Sequence, residues 1–219
     1  FNYILLKKMA TKTKKKLLVE LIPSTCHFSN VRTTVKTEEW DKIRKISYAA
    51  AGNKCEICGD TGKNQGKKHN VECHEIWEYD DENHIQKLVG LISLCPFCHM
   101  TKHIGRSIAI GAEKVCYVQL AKVNKWSMEQ IQKHIVESFE VHKERSKHEW
   151  TLDISILEQE PYNIKLKPFK ERIFEVKIPK KKKPSKKKTT DGKKKVHPKA
   201  KIAAVLKPKT GGAKRPPKK

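Results

Sequence analysis

Two Cys-x2-Cys pairs, Cys55-Glu56-Ile57-Cys58 and Cys95-Pro96-Phe97-Cys98, constrain this chain more than any other feature. Each pair bends two thiolates around one tetrahedral ion. Four thiolates leave no open position, so the pattern points to a structural Zn2+ that staples the fold and takes no part in chemistry. The chain holds seven Cys, an odd number that cannot be fully paired in intramolecular disulfides. A core of this expected size needs no covalent staples, which makes disulfides the weaker alternative. The expected setting is a reducing intracellular compartment: cytoplasm, nucleoid or a viral nucleoprotein. Cys26 and Cys116, outside the pairs, read as small buried hydrophobes.

The charge is distributed as unevenly as the cysteines. Of the formal +24, residues 180–219 contribute +17 and residues 1–16 contribute +6, while residues 17–179 net only +1 and hold every Cys. This predicts a near-neutral globular domain between basic extensions: 1–16, a domain over 17–155, a mixed segment over 156–179, and a Lys-rich tail over 180–219. That tail has almost nothing to bury and repels itself, so it is expected to be disordered when free. Met9 is a candidate initiator. No apolar run approaches the roughly 20 residues of a membrane span, and Phe1–Leu6 is too short for a secretory segment, so neither membrane insertion nor export is expected.

Between the tails the periodicity is mixed. Leu17–Ile22, ended by Pro23, suits a buried strand or a clamp. Thr37 with Glu38 and Glu39 predicts a helix start, with Trp40, Ile43, Ser47 and Ala50 on one stripe and Gly52 ending it. Val71–Tyr79 and Leu88–Leu94 read as strands closing an irregular hairpin over Asp80–Asn83, and Pro96 predicts the first residue of the next helix. Helices are expected over Glu113–Asn124 and Met128–Arg145, the second with a capping box of Ser127 and Gln130. Glu149–Ser155 reads as a strand with Leu17–Ile22 as its partner, and Ile164–Leu166 and Phe174–Ile178 as edge strands. Trp77 and Tyr79 suit hairpin packing.

The chemistry-bearing residues lie around the Cys pairs. His74 stands in Val71-Glu72-Cys73-His74-Glu75-Ile76, on the first strand of the hairpin. Directly after the second pair come His99 and His103, at i and i+4, a spacing that projects both imidazoles from one helical face and lets them share a metal. Strand with His, turn, strand, Cys-x2-Cys-His, helix and second His, tied by four Cys, is an order that resembles the HNH endonuclease family over about Cys55 to His103, within an implied ββα-metal core of about residues 55–106. The stretches "YAAAGNKCEICG", "VECHEIWEYDD", "LVGLISLCPFCHMTKHIG" and "HEWTLDI" extend the likeness to a bacterial and phage HNH subgroup. The resemblance implies an α+β fold with a ββα-metal core stapled by a four-Cys zinc knot. It further implies His74 as general base, His99 and His103 as ligands of a divalent catalytic metal (Mg2+, Mn2+, Ni2+ or Zn2+), and hydrolysis of phosphodiester bonds to 5′ phosphate and 3′ hydroxyl. The chemistry stands without the name: an imidazole with a pKa near 6.5 accepts a proton at pH 7, and a cation offsets charge as the P–O bond breaks.

Two positions depart from the family pattern. Its middle Asn falls on Gly90, with Asn83 in the turn as a candidate substitute, and the residue before the base is Cys73. Cys73, a soft ligand favouring zinc, and Glu75, an oxygen ligand on the same strand face, are further candidates for the catalytic metal. Lys102 and Arg106 are candidate phosphate contacts, with a solvated helix face as the alternative. The remaining histidines, His27, His69, His84, His134, His142, His148 and His197, lie outside the pattern and are expected to be packed or solvated.

The tail resembles a histone-H1-like tail. Lys180, Lys181, Lys182, Lys183, Lys186, Lys187, Lys188, Lys193, Lys194 and Lys195 lie within a run that should bind nucleic acid without sequence preference and with strong salt dependence. The expected partner is nucleic acid, DNA first and RNA as the alternative, with no membrane and the oligomeric state unassigned. A nuclease tethered by its tail is the leading reading. A degenerate HNH-fold zinc protein that binds or packages nucleic acid, and a structural component of a nucleoprotein assembly, are the rivals.

Overall fold

A computed structural model describes residues 16–166. The segments 167–219 and 1–15, including Phe174–Ile178 and every tail lysine named above, lie outside the described residues.

The described region is α+β, a small sheet with helices packed around it. Helix α1 covers Val31–Thr34 and α2 Thr37–Ala50. The α2 start falls at Thr37 as expected, though the reciprocal cap is made by Glu39, whose carboxylate accepts the Lys36 N–H at 2.9 Å. Gly52 follows at φ +59, a left-handed exit that costs glycine little.

Strands β1, Glu72–Asp80, and β2, Ile85–Leu94, form the antiparallel hairpin. The Asp80 carboxylate accepts the Glu82 and Asn83 N–H groups and fastens the turn. Irregularity enters as a bulge: Ile76 pairs with Gly90 and Trp77 with Leu88, leaving Val89 without a partner on β1. A third strand, β3, Thr151–Asp153, pairs parallel to β2 through Ile85–Thr151 to Lys87–Asp153. The expected pairing of this strand with Leu17–Ile22 is therefore corrected: the sheet order is β1-β2-β3, and residues 17–22 form no ladder.

The helices after β2 are α3, Pro96–Lys102; α4, Ile104–Ala109; α5, Glu113–Asn124; and α6, Met128–Arg145. Proline occupies the first helical position of α3. The Ser127 hydroxyl accepts the Gln130 N–H while the Gln130 amide oxygen accepts the Ser127 N–H, the capping box read from sequence. No helix among the described residues is long and apolar enough to cross a membrane.

One core cluster, with Val31, Ile43, Leu88, Leu91, Ile154, Leu157, Tyr162 and Ile164, fills the space between α2 and one sheet face. Leu157, Tyr162 and Ile164 show that residues beyond 155 add to the same core. Ile164–Leu166 is not a strand, contrary to expectation; Ile164 is buried and its N–H donates to the Leu157 carbonyl after a short 3-10 turn. Cys26 and Cys116 are buried, as expected of small apolar side chains.

Candidate metal centre

The hairpin and the helix after it bring two donor clusters side by side. In the first, the sulfurs of Cys55, Cys58, Cys95 and Cys98 lie within 4.8 Å of one another. Cys58 Sγ is 3.5 Å from Cys95 Sγ and 3.6 Å from Cys98 Sγ, and none of the seven cysteines is bridged by a disulfide. The first pair sits on a turn closed by the Gly59 N–H on the Cys55 carbonyl, with Gly59 at φ +78. The second pair occupies the N-cap and third position of α3. The two loops are fastened by backbone and side chain together, since Glu56 N–H donates to the Ser93 carbonyl and Ser93 N–H to the Glu56 carboxylate at 2.8 Å.

From α5 the Gln119 amide donates to Cys98 Sγ at 3.1 Å, the kind of outer contact that orients a thiolate ligand. Four sulfurs this close cannot all ionise unaided. Hydrogen bonds from Cys58 and its neighbours hold Cys55 towards the thiolate, and the bond Cys98 makes to Cys55 holds Cys98 as the thiol. A divalent cation held by the four sulfurs would resolve that conflict, and this donor set suits a structural zinc.

The second cluster is imidazole. Ligand nitrogens of His74, His99 and His103 also lie within 4.8 Å of one another. The ring centroids are 5.3 Å apart for His74 and His99, and 4.9 Å for each of the other two pairs. His74 is the third residue of β1 and is only 4% exposed; His99 lies on α3. His103 differs from expectation. It is not a helical residue one turn on but the break between α3 and α4, at φ −97 and ψ 45, and its N–H still reaches the His99 carbonyl at 3.3 Å. Burial pushes His103 down to about 3 and lowers His74 as well, so both rings are neutral at pH 7 with a lone pair to offer.

Two carboxylates hold this group. Glu72, two residues before His74 and so on the same strand face, accepts from His99 Nδ1 at 2.5 Å and from His69 Nε2 at 2.8 Å. The His99 hydrogen bond is the main reason Glu72 stays below the usual carboxylate range. Glu20 pairs its Oε2 with His74 Nε2 at 2.8 Å and its Oε1 with the Lys102 ammonium. Burial alone would raise Glu20, but His74 and Lys102 outweigh it and hold the carboxylate low. Imidazoles whose second nitrogen is bonded to a carboxylate are the usual arrangement in metal sites.

Cys73 and Glu75 are not brought to the imidazoles. Both alternate with His74 along β1 and face the other way. Cys73 packs against the main core, where burial pushes its thiol up to about 12, and the Glu75 carboxylate accepts the Val31 N–H at 2.8 Å at the start of α1. Lys102 is 6% exposed and committed to Glu20, so it is no free phosphate contact. Asn83 stays in the hairpin turn, its amide on Asp80 at 2.8 Å, and Gly90 faces Ile76, so no amide side chain reaches the imidazoles from either position.

Arg106 is exposed and lines a cleft of about 670 Å³ with Arg32, Arg44, Trp40, Tyr48 and His99, beside the open edge of β1. His74 lines a second cavity, of about 350 Å³, with Glu20, Trp77 and Tyr79. Sequence reasoning missed Glu20 and Glu72. The second was legible as the same-face neighbour of His74; the first lies 54 residues away along the chain and carries no local signal. His134, expected to be a bystander, accepts the Val19 N–H at 2.9 Å and so helps fasten residues 17–20. Comparison with protein-family models, curated proteins and solved structures finds no match.

Proposed function

We propose that the chain is a metal-dependent endonuclease of the HNH type, hydrolysing phosphodiester bonds of nucleic acid, with DNA as the first substrate. The observation that carries the reading is the convergence of His74 from the first hairpin strand with His99 and His103 from the helix that follows, next to a four-sulfur cage. Nitrogen donors of this kind suit Zn2+ or Ni2+, and His99 and His103 would hold the ion. Bound there, a divalent cation would offset the negative charge that grows on the phosphate and on the departing oxygen.

The protein's own groups do the rest. His74, neutral and with one nitrogen taken by Glu20, accepts a proton from the attacking water at its other nitrogen. The water oxygen bonds to phosphorus as the P–O3′ bond breaks. The 3′ oxygen leaves with a proton from solvent, giving a 5′ phosphate and a 3′ hydroxyl. Arg106 and Arg32 line one cleft with His99 and suit the phosphates of the bound strand, while Arg44 in the same cleft is paired with Asp41 at 2.8 Å. Beyond the described residues, the Lys-rich tail supplies sequence-independent attachment.

A specific observation favours a second reading, a zinc-stapled nucleic-acid-binding module that does not cut: neither Gly90 nor Asn83 provides an amide to the imidazoles. One experiment separates the two. The purified chain with Mg2+, Mn2+, Ni2+ or Zn2+ is expected to nick supercoiled plasmid and a His74→Ala protein to lose at least about 100-fold of that activity. Plasmid left intact by both, with DNA still bound, favours the binding module; equal cleavage by both removes His74 from the mechanism.

A further inference from the structure

The segment 17–22 makes no ladder, yet side chains from three helices hold it closely. Asn124 takes the Leu17 N–H at 2.8 Å and returns its own amide N–H to the Leu17 carbonyl at 2.7 Å. His134 takes the Val19 N–H, and the Glu20 N–H donates to the Lys102 carbonyl at 3.0 Å. The result is that one carboxylate, Glu20, is delivered between two buried side chains, His74 and Lys102.

The chemistry of that contact is unequal. Lysine has only donors, so the Glu20 oxygen it touches must accept. A carboxylate also accepts with its second oxygen, so His74 must donate from Nε2. We propose that Glu20, latched by Lys102, is a positioning residue that fixes His74 in the tautomer protonated at Nε2, keeping the Nδ1 lone pair for the reaction. This rests on the reading of His74 as the base, but it is a claim about a proton position and is measurable without turnover.

The arrangement has a built-in reversal. In Glu20→Gln the Lys102 ammonium still requires an acceptor and takes the single amide oxygen. The amide NH2 is then left facing His74 Nε2, which has to accept, and the proton moves to Nδ1. The isosteric substitution therefore selects the wrong tautomer instead of merely weakening the right one. Replacing Lys102 as well, in Glu20→Gln/Lys102→Met, frees the amide to rotate and present its oxygen to His74 Nε2.

Long-range 15N–1H NMR of the full chain at pH 8, with no metal added beyond the zinc it purifies with, reads the protonated nitrogen directly. Wild type is expected to carry the His74 proton on Nε2, Glu20→Gln on Nδ1, and the double variant on Nε2 again. Plasmid nicking should fall on the order of 10²–10⁴-fold in Glu20→Gln and recover at least about tenfold in the double variant, with thermal midpoints recorded alongside. A wild-type His74 protonated on Nδ1 overturns the proposal, and that result needs no variant to fold. So does a Glu20→Gln protein whose tautomer is unchanged. If the tautomers behave as expected while wild type does not nick, the positioning role of Glu20 stands and the nuclease reading falls.

Discussion

Glu75 offers a quantitative test of where the faces of β1 point. Its carboxyl is pushed up to about 7 by burial, against 4.5 for the free group, although the Val31 N–H favours the charged form. A carboxyl whose pKa is raised on folding binds its proton more tightly in the folded chain. Between about pH 4.5 and 7 the folded state therefore holds more protons than the unfolded one, and stability falls as pH rises through that window. At about 1.36 kcal/mol per pK unit, the full cost of ionising Glu75 on the alkaline side is about 3 kcal/mol, of which about 1 kcal/mol is already present at pH 5.

Glu75→Gln removes the charge and keeps an oxygen for the Val31 N–H. Relative to wild type, the variant should therefore gain about 2 kcal/mol between pH 5 and pH 8. Any cost of burying the new amide N–H groups is independent of pH and moves the whole curve without changing its slope. Urea unfolding at a fixed zinc concentration, compared at pH 5, 6, 7 and 8, measures the difference between the proteins and cancels the pH dependence of the shared metal cage. Parallel curves for the two proteins would refute the reasoning and return Glu75 to the surface or to a charged partner.

Metal content separates the two donor clusters. One tightly held zinc per chain should survive His74→Ala, His99→Ala and His103→Ala, and should be lost in Cys58→Ser together with cooperative unfolding, because structural zinc of this kind contributes about 10–16 kcal/mol in small domains. Elemental analysis with circular dichroism checks this, and a zinc equivalent that follows the histidines and not Cys58 would contradict it. Asn124→Ala removes both side-chain bonds to Leu17, and the fastening of residues 17–20 should weaken by about 1–3 kcal/mol. Hydrogen exchange at the Leu17, Val19 and Glu20 amides should then quicken relative to α5 itself; unchanged protection would show that Asn124 does not carry the segment.

Much of this architecture was legible because it is local. The bounds of α5 and α6 and the Ser127–Gln130 cap follow from helical spacing and a reciprocal pair of side chains three residues apart. Alternation exposes β1, and Pro96 marks the start of α3. The Cys pairs needed only their spacing. The same local logic, carried one step further, would have excluded Cys73 and Glu75 and picked out Glu72, since neighbours on a strand face opposite ways and residues two apart share a face. The i, i+4 reading of His99 and His103 brought the right rings together for an incomplete reason, because the helix breaks at His103 and the rings meet across the break.

What the sequence alone determined, then, is which residues offer metal donors and which short elements they ride on, because spacing, caps and turn residues act within a few positions. The tertiary structure alone decided what those residues face. Glu20 reaches His74 from 54 residues away, β3 pairs with β2 and not with residues 17–22, and Lys102 is turned inward onto a carboxylate. Such choices depend on which distant groups lose their water together, and that desolvation exists only once the chain has packed.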